Sequence, residues 1–540
     1  AEQVRDINTM LDTLSGILPL EDYERQRILR EVRRRRGFVP VTVRENLDWR
    51  DVSRIEVNAP DLPGLSIEVG QIRQYPFAED FAHVLGYVSA VSEKDVTGDP
   101  LLELPGFKIG KNGIERVFDL NLRGKAGNSQ VEVNAVGRVI RELSRQEGQP
   151  GADLRLTIDR DLQRLTAGRL KEEKSASAVV MDIHNGDVLA LSSVPGYDPN
   201  EFVTGLSSKS WSRLINDPYA PLTNKAISGL YAPGSTFKMV VALAALEGRI
   251  VASDHPVFCR GHTQVGNARF HCWKRHGHGW QDMYEAHQNS CDVYFYDIAK
   301  RTGIDRIAEM AKRLGFGAKT GIDLPSEKGG VIPTRAWKKA LTGTPWQQGE
   351  TLISGIGQGL ILTTPLQLAV MTARIGNGGK AVVPRLIRSV DEDGEEVEPI
   401  FKDIGISKRS LDVVREGMNR VTNVRQGTAY RARISEEGME MSGKTGTAQV
   451  RRISKAERET RVLKNHERPW RERDHALFVG YAPSDNPQYA VAVVVEHGGG
   501  GSKVAAPIAR DLLLETQKRD PANRTVAPAA AEAPAKSEDI

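Results

Sequence analysis

A serine and a lysine stand three residues apart in the segment YAPGSTFKMVVALAALEG, where a Pro-Gly turn precedes a run that predicts a helix. This spacing puts Ser235 and Lys238 on one face of the helix. Serine is a weak nucleophile at neutral pH, and an unprotonated lysine beside it can act as its base. The pair therefore indicates acyl transfer through a covalent intermediate. The alternative is an N-cap serine followed by an exposed lysine, because the spacing also arises by chance.

Two segments further along the chain carry groups that would complete such a site. In QNSCDVYFYDIAK, Ser290 and Asp292 flank Cys291 just before a predicted helix and offer a second hydroxyl with a carboxylate to orient it. In EMSGKTGTAQV a short strand is predicted, and a substrate carboxylate lying along its edge would meet an amine, two hydroxyls and exposed backbone. The residues concerned are Lys444, Thr445, Gly446 and Thr447.

All three cysteines and five of the eleven histidines fall between Phe258 and Asp292. Thiols with imidazoles among them are compatible with a metal site, with a disulfide that leaves one thiol over, or with a reactive nucleophile. The gaps between Cys259, Cys272, His278 and Cys291 match no Cys-x-x-Cys pattern, so spacing alone does not decide between these possibilities.

The helices and strands that must position these residues belong to a chain whose composition is typical of a globular protein. It has 540 residues, of which 39% are apolar and 27% charged, so more than one domain is expected. A formal charge of +4 is small for this length and gives no reason to expect a nucleic-acid partner. No apolar run reaches the length of a membrane span, and the start at Ala1 leads us to expect that an N-terminal membrane anchor has been removed.

We predict three regions from changes in composition and hydrophobic pattern along the chain. Residues 1–150 form an extended, β-rich pedestal, because FVPVTV, IEVNA, LSIEVG and QVEVNAVGRVI resemble short strands. Residues 151–519 form an α+β domain with an antiparallel sheet and packed helices, in which SASAVVMDIHNGDVLALSSV gives two strands joined at Asn185-Gly186 and LRLTIDRDLQRLTAGRL a strand entering a helix. Residues 520–540 are rich in Ala and Pro and should be disordered.

One insert in the second region is strongly charged. The segment RRISKAERETRVLKNHERPWRERD, between the Lys444 strand and the strand that begins near Ala476, carries nine Lys or Arg residues. It either lines the approach of an anionic substrate or is a solvated loop.

The order S-x-x-K, then S-x-[ND], then K-T-G resembles the signature of the penicillin-binding proteins and serine β-lactamases. Flanking segments such as GIERVFDLNLRGKAG and GIGQGLILTTPLQLA narrow the resemblance to class B penicillin-binding proteins of the elongation type. It implies a transpeptidase fold of the serine β-lactamase kind and a D,D-transpeptidase that cross-links peptidoglycan stem peptides and is acylated by β-lactams. Asp292 departs from the commoner Asn of the second motif, which is a feature of the subtype.

The resemblance also implies roles for the residues named above. Ser235 is the expected nucleophile and Lys238 its base, Ser290 with Lys444 the proton relay, and Lys444 with the two threonines the holder of the substrate carboxylate. Some relatives carry a metal in the corresponding segment, so we expect a structural zinc site built from Cys259, Cys272, His278 and Cys291, with His276 as a competing ligand and a disulfide as the alternative.

The same resemblance predicts where the protein works and with what. The catalytic domain should be periplasmic and anchored in the inner membrane, with a SEDS-type glycosyltransferase and an elongation scaffold protein as partners. The alternatives are a division-type class B transpeptidase, and a scaffold of the cell-wall machinery that has lost its activity.

Overall fold

A computed structural model describes residues 4, 6–34, 40–104, 106–133, 139–388, 398–451, 457 and 460–522. In chain order the helices are α1 (Ile7–Ile17), α2 (Asp22–Arg34), α3 (Trp49–Val57), α4 (Ala82–Leu85), α5 (Gly113–Val117), α6 (Asp119–Leu122), α7 (Arg160–Leu170), α8 (Pro199–Thr204), α9 (Ser208–Asn216), α10 (Lys225–Ser228), α11 (Lys238–Glu247), α12 (Met283–Gln288), α13 (Asp292–Thr302), α14 (Ile304–Arg313), α15 (Arg335–Thr342), α16 (Gln348–Ser354), α17 (Pro365–Gly376), α18 (Lys408–Asn423) and α19 (Ala505–Arg519). None of these described helices has the length and apolar character needed to cross a bilayer.

The strands are β1 (Val88–Ala90), β2 (Lys108–Gly110), β3 (Asn128–Val133), β4 (Val139–Gln146), β5 (Ala176–Asp182), β6 (Val188–Val194), β7 (Val257–Cys259), β8 (His262–Val265), β9 (Ala268–His271), β10 (Gly279–Gln281), β11 (Ser442–Ala448), β12 (His475–Ala482) and β13 (Tyr489–Val495).

The chain forms two compact units whose division does not follow the sequence in a single cut. The first unit consists of Ala1–Leu154 and Tyr197–Ile215, and the second of Arg155–Gly196 and Asn216–Ile540. The predicted boundary between residues 150 and 151 lies close to the first division, and no sequence pattern indicates the return of residues 197–215 to the first unit. The predicted disordered tail lies, beyond residue 522, outside the described residues.

The first unit contains a small apolar cluster of Leu14, Leu18, Ile55 and Leu62. Ile55 belongs to IEVNA, for which the expectation of a strand was wrong, since these residues run through the end of α3. Asp48 caps that helix by accepting a hydrogen bond from the backbone of Asp51, and a helix brings Ile55 onto the cluster. The N-cap and the burial of Ile55 on one helix face therefore outweighed the β-like composition of IEVNA.

The returning segment is held to the first unit by aromatic contacts. The ring of Phe202, in α8, stacks on Tyr87 with centroids 3.9 Å apart, and the hydroxyl of Tyr197 donates to the carbonyl of Ala82 at 3.1 Å. Both Tyr197 and Phe202 are buried. Burial of these two aromatic side chains stabilises the return of the segment to the first unit.

The second unit is built on a five-stranded antiparallel sheet in the order β11-β12-β13-β5-β6. Strands β5, β6 and β13 are buried along their whole length, which requires cover on both faces. Helices α7 and α19 pack against one face in a single apolar cluster, and α17 contacts β5, β12 and β13. The hairpin at Asn185-Gly186 is confirmed, but the strand expected before α7 is reduced to one bridge between Leu156 and Ile387.

Candidate active site

Ser235 lies in a 3₁₀ turn, Gly234–Phe237, that runs directly into α11. Gly234 has φ +55°, and a Cβ at this position would lie 2.7 Å from the carbonyl oxygen of Thr447. Glycine is therefore what lets the turn lie against strand β11. Ser235 is half-buried whereas Lys238, one turn later, is fully buried, so the hydroxyl is open to a substrate while the amine is shielded from water.

The amine of Lys238 contacts three acceptors at the start of α13. Its Nζ is 2.8 Å from Oδ1 of Asp292, 2.9 Å from the carbonyl oxygen of Ser290 and 3.2 Å from Ser290 Oγ. The Lys238 side chain has no exposed surface. A buried ammonium needs such partners, because removing it from water without them costs on the order of several kcal/mol.

Lys444, on strand β11, supplies a second amine to the same hydroxyl. Its Nζ is 2.9 Å from Ser290 Oγ and 3.2 Å from the carbonyl oxygen of Thr445. Burial, and then the charge of Lys238, hold the pKa of Lys444 well below its usual range, while Asp292 opposes the shift. The Ser290 hydroxyl thus bridges two lysines, and burial drives Lys444 towards the neutral amine.

Ser290 itself adopts a left-handed backbone conformation, with φ +51°. This region costs a non-glycine residue roughly 1 kcal/mol, so the surrounding contacts must maintain it. Besides Lys238, the indole Nε1 of Trp273 donates to the Ser290 carbonyl at 3.1 Å. The conformation places the carbonyl and the hydroxyl of one residue on the same lysine.

Strand β11 is the outer strand of the sheet, so its backbone can be approached from the side. Thr445 Oγ1 is 2.9 Å from Thr428 Oγ1, whereas the side chain of Thr447 is exposed. The carbonyl of Thr447 accepts a hydrogen bond from the Gln358 side chain at 3.0 Å. Gly446 is buried where the carbonyl of Pro233 approaches the strand.

The structure therefore gathers the predicted residues around one hydroxyl and one strand edge. Direct contacts join Lys238, Ser290, Asp292 and Lys444, and the Gly234–Thr447 approach joins the Ser235 turn to the strand. Three further participants were missed by the sequence analysis, because a backbone donor, an amide and a lone threonine give no recognisable pattern: Trp273, Gln358 and Thr428.

The four predicted metal ligands also come together. The ligand atoms of Cys259, Cys272, His278 and Cys291 lie within 4.8 Å of one another, and all three thiols are free. His278 Nδ1 is 3.5 Å from the sulfur of Cys272 and 3.6 Å from that of Cys259. Tetrahedral zinc, with Zn–S near 2.3 Å and Zn–N near 2.05 Å, separates S and N by about 3.6 Å, so the donor set fits this ion. His276 is exposed and lies outside the cluster.

Short strands bring the ligands to one place. Strand β7 pairs with β10, so Cys259 stands opposite Gly279. The β8–β9 hairpin lies in the chain between these two strands. The backbone of His278 donates to the carbonyl of Cys259 at 3.0 Å. Gly277 has φ +79°, and its missing Cβ would lie 2.0 Å from that carbonyl. Only glycine allows so close an approach of the two backbone segments.

Comparison with known proteins agrees with this geometry. Residues 176–514 match the penicillin binding protein transpeptidase domain, and residues 1–156 match the penicillin-binding protein dimerisation domain. The chain therefore belongs to the class B penicillin-binding proteins. Within that class its relatives include the peptidoglycan D,D-transpeptidase MrdA of Haemophilus influenzae, which is 38% identical over 526 residues covering 95% of this chain and 79% of the relative.

Two solved structures place the chain beside the enzymes called PBP2. The crystal structure of Pseudomonas aeruginosa PBP2 in complex with WCK 5153 is 37% identical, with a TM-score of 0.70 over 84% of this chain and 93% of the other. The complex of Helicobacter pylori PBP2 with MreC is 29% identical, with a TM-score of 0.82 over 96% of this chain and 93% of the other. These likenesses favour the elongation type over the division type.

Proposed function

We propose that the protein cross-links peptidoglycan stem peptides as a serine D,D-transpeptidase of the elongation machinery. The observation that carries this proposal is the position of Ser290 Oγ, 3.2 Å from Nζ of Lys238 and 2.9 Å from Nζ of Lys444. A hydroxyl between two buried amines can pass a proton in either direction. A scaffold without activity would have no need to keep two buried lysines that cost free energy of solvation.

The first half-reaction forms an acyl-enzyme. A proton passes from Lys238 through the Ser290 hydroxyl to the neutral amine of Lys444, which leaves Lys238 free to take the proton of Ser235. The Ser235 oxygen bonds to the carbonyl carbon between the two terminal D-alanines. The C–N bond then breaks, and the departing amine takes its proton from the Ser290 hydroxyl, which regains one from Lys238, so that D-alanine leaves and Lys238 is neutral again.

The backbone N–H groups of Ser235 and Thr447 are the proposed donors to the oxyanion, because the turn and the strand meet at Gly234. The charged Lys444, with the hydroxyls of Thr445 and Thr447, holds the terminal carboxylate of the substrate. In the second half-reaction an amine of a neighbouring stem peptide attacks the ester carbon and loses its proton to Lys238. The ester C–O bond then breaks, and Lys238 returns that proton to the Ser235 oxygen. A β-lactam repeats only the first half and stays on Ser235.

We also propose that Cys259, Cys272, His278 and Cys291 hold a zinc ion. The distances from His278 Nδ1 to two sulfurs fit tetrahedral coordination, and His278 Nε2 is buried without a partner among the described residues, which suits a ring that binds through Nδ1. With four protein ligands the ion would cross-link the β7–β10 segment to Cys291 and leave no open position for water. Its contribution is therefore to stability and to the placement of Ser290 and Asp292.

We propose that the catalytic unit works in the periplasm in association with the inner membrane. A scaffold protein of the MreC kind and a SEDS-type glycosyltransferase are the proposed partners. The Helicobacter pylori complex supports the first of these, since that PBP2 was solved with MreC.

Intact-mass measurement after exposure to benzylpenicillin, followed by peptide mapping, tests the proposed activity. We expect one adduct per chain on Ser235 and none in Ser235→Ala. The matched control is Ser228→Ala, whose hydroxyl bonds, within the described part of the chain, to the Ser326 carbonyl alone and lies outside the site. An adduct that persists in Ser235→Ala, or a wild-type protein that takes no adduct, would rule the proposal out.

A further inference from the structure

A cleft of about 440 Å³ lies in the second unit beside the residues described above. Four aromatic rings contribute to its wall, from Tyr219, Tyr231, Trp470 and His497. Its charged residues are Lys225, Arg471 and Glu496. Arg471 and Trp470 come from the charged insert whose role the sequence left open. The cleft is therefore a mixed aromatic and cationic surface.

Among the described residues the cleft has one carboxylate, that of Glu496, which is already bound to neutral groups. Glu496 Oε1 accepts a hydrogen bond from the Tyr231 hydroxyl at 2.8 Å, and Oε2 accepts one from the Ser175 hydroxyl. Neither partner carries a charge. The carboxylate of Glu496 is therefore hydrogen-bonded to two neutral hydroxyls and not to either of the two cations, Lys225 and Arg471.

Lys225 is 2% exposed, and its only hydrogen bond from Nζ within the described residues goes to the carbonyl of Ala220, at 3.3 Å. No carboxylate of the described chain lies within 4.0 Å of that amine. Burial lowers the pKa of Lys225 to about 8, against the attraction of Glu496 and Asp217. A buried ammonium with one weak acceptor is a binding position for an anion.

Arg471 lies at the exposed rim of the same cleft. Among the described residues it forms no ion pair within 4.0 Å. A guanidinium beside a shielded ammonium can hold a carboxylate from two sides, which is a stronger arrangement than either cation alone.

The cleft adjoins the carboxyl end of strand β11. The ring of Tyr231 meets His475 edge-on with centroids 5.4 Å apart, and His475 pairs with Ala448, the residue after Thr447. The loop that begins at Glu496 also returns to the site, where the backbone of Gly501 is 3.4 Å from Thr447 Oγ1.

A substrate that lies antiparallel along β11 has a defined direction. Its terminal carboxylate is at Lys444 and Thr445, so the residues that precede the scissile bond pass Thr447 and Ala448 towards the cleft. We propose that the cleft formed by Lys225, Arg471 and the aromatic wall binds a carboxylate of the donor stem peptide upstream of its terminal D-alanines. This proposal rests on the proposed transpeptidase function.

Equilibrium binding to the Ser235→Ala protein tests the proposal without chemistry. The probes are a synthetic stem peptide with a free carboxylate upstream of D-alanyl-D-alanine, and the same peptide with that carboxylate amidated. We expect the free acid to bind about tenfold more tightly, as one charge-assisted contact allows. Lys225→Met and Arg471→Gln should each reduce this preference severalfold, and Lys312→Met, an exposed lysine on α14, should leave it intact.

Equal dissociation constants for the two peptides overturn the proposal, as does a preference that survives both Lys225→Met and Arg471→Gln. If Lys225→Met does not fold, the exposed Arg471→Gln decides the question. Failure of the proposed function is seen separately, as the absence of a penicillin adduct on the wild-type protein.

Discussion

The backbone N–H of Trp273 donates to Oδ2 of Asp292 at 3.0 Å, while the other oxygen of that carboxylate is 2.8 Å from the amine of Lys238. Trp273 follows the thiol of Cys272 directly in the chain, and its indole Nε1 donates to the carbonyl of Ser290. One residue therefore ties the cysteine cluster to both polar residues at the start of α13.

Replacing Trp273 by phenylalanine keeps the backbone donor and removes the indole N–H. One lost hydrogen bond at a buried carbonyl corresponds to about 1 kcal/mol, so we expect the second-order rate of benzylpenicillin acylation to fall about fivefold with little change in melting temperature. Stopped-flow acylation kinetics measure this. Trp280→Phe, an exposed indole on β10, is the control, and equal rates in the two variants would show that the contact has no role.

Loss of one thiol of the cluster should act on stability and catalysis together. We expect Cys291→Ser to lose zinc, to melt at a lower temperature and to acylate more slowly, because the ion would no longer hold the residue between Ser290 and Asp292. Elemental analysis and calorimetry measure these effects. Ser235→Ala and His276→Ala should keep the metal. Zinc below about a tenth of an equivalent in unchelated wild-type protein, or a Cys–Cys bridge by mass spectrometry, contradicts the site.

Gly234→Ala should damage the site without touching a reacting group. The added Cβ meets the Thr447 carbonyl at 2.7 Å, and φ +55° is strained for alanine, so we expect a loss of roughly 2 kcal/mol in unfolding free energy and slower acylation. Denaturant titration provides the measurement. At Gly168, inside α7, a Cβ has no neighbour within 4 Å, and Gly168→Ala should be neutral or stabilising. The prediction fails if the two substitutions have the same effect.

The depressed pKa of Lys444 has a consequence for stability against pH. Because its folded pKa is below the unfolded value of 10.5, the unfolded chain binds more protons, and this lysine makes the unfolding free energy rise with pH from the lowered folded pKa up to 10.5. Lys444→Met should remove that part of the slope. Thermal melts of both proteins between about pH 7 and pH 10 test it, with Lys312→Met as the control, and parallel curves for Lys444→Met and wild type would refute it.

Much of the site was accessible from the sequence because its residues lie in short segments of fixed order. Ser235 and Lys238 sit one turn apart, and the second and third segments supply the groups that meet them. The contacts of Trp273 were not accessible, because its backbone N–H carries no residue signature. His278 was predicted as the ligand with His276 as a competitor, and the structure brings His278 to the thiols while His276 is exposed.

Two features of the fold depend on contacts that composition does not record. IEVNA has the residues of a strand, yet a cap at Asp48 and the burial of Ile55 make it the end of α3. The return of residues 197–215 to the first unit depends on aromatic contacts with residues more than a hundred positions earlier, such as Tyr87 with Phe202. No local sequence pattern predicts a contact between residues so far apart in the chain.

An outer strand is also the place where copies of a protein pair wrongly, because its unpaired backbone offers a template to any other strand. Strand β11 is such an edge, and it has to stay open for a peptide. Two of its residues oppose self-association: Lys444 points a buried polar amine inward, and the Thr447 carbonyl is already bonded to Gln358. A strand from a second copy would have to displace the glutamine and cover a buried amine. Lys444 and the Gln358–Thr447 contact thus also oppose aggregation.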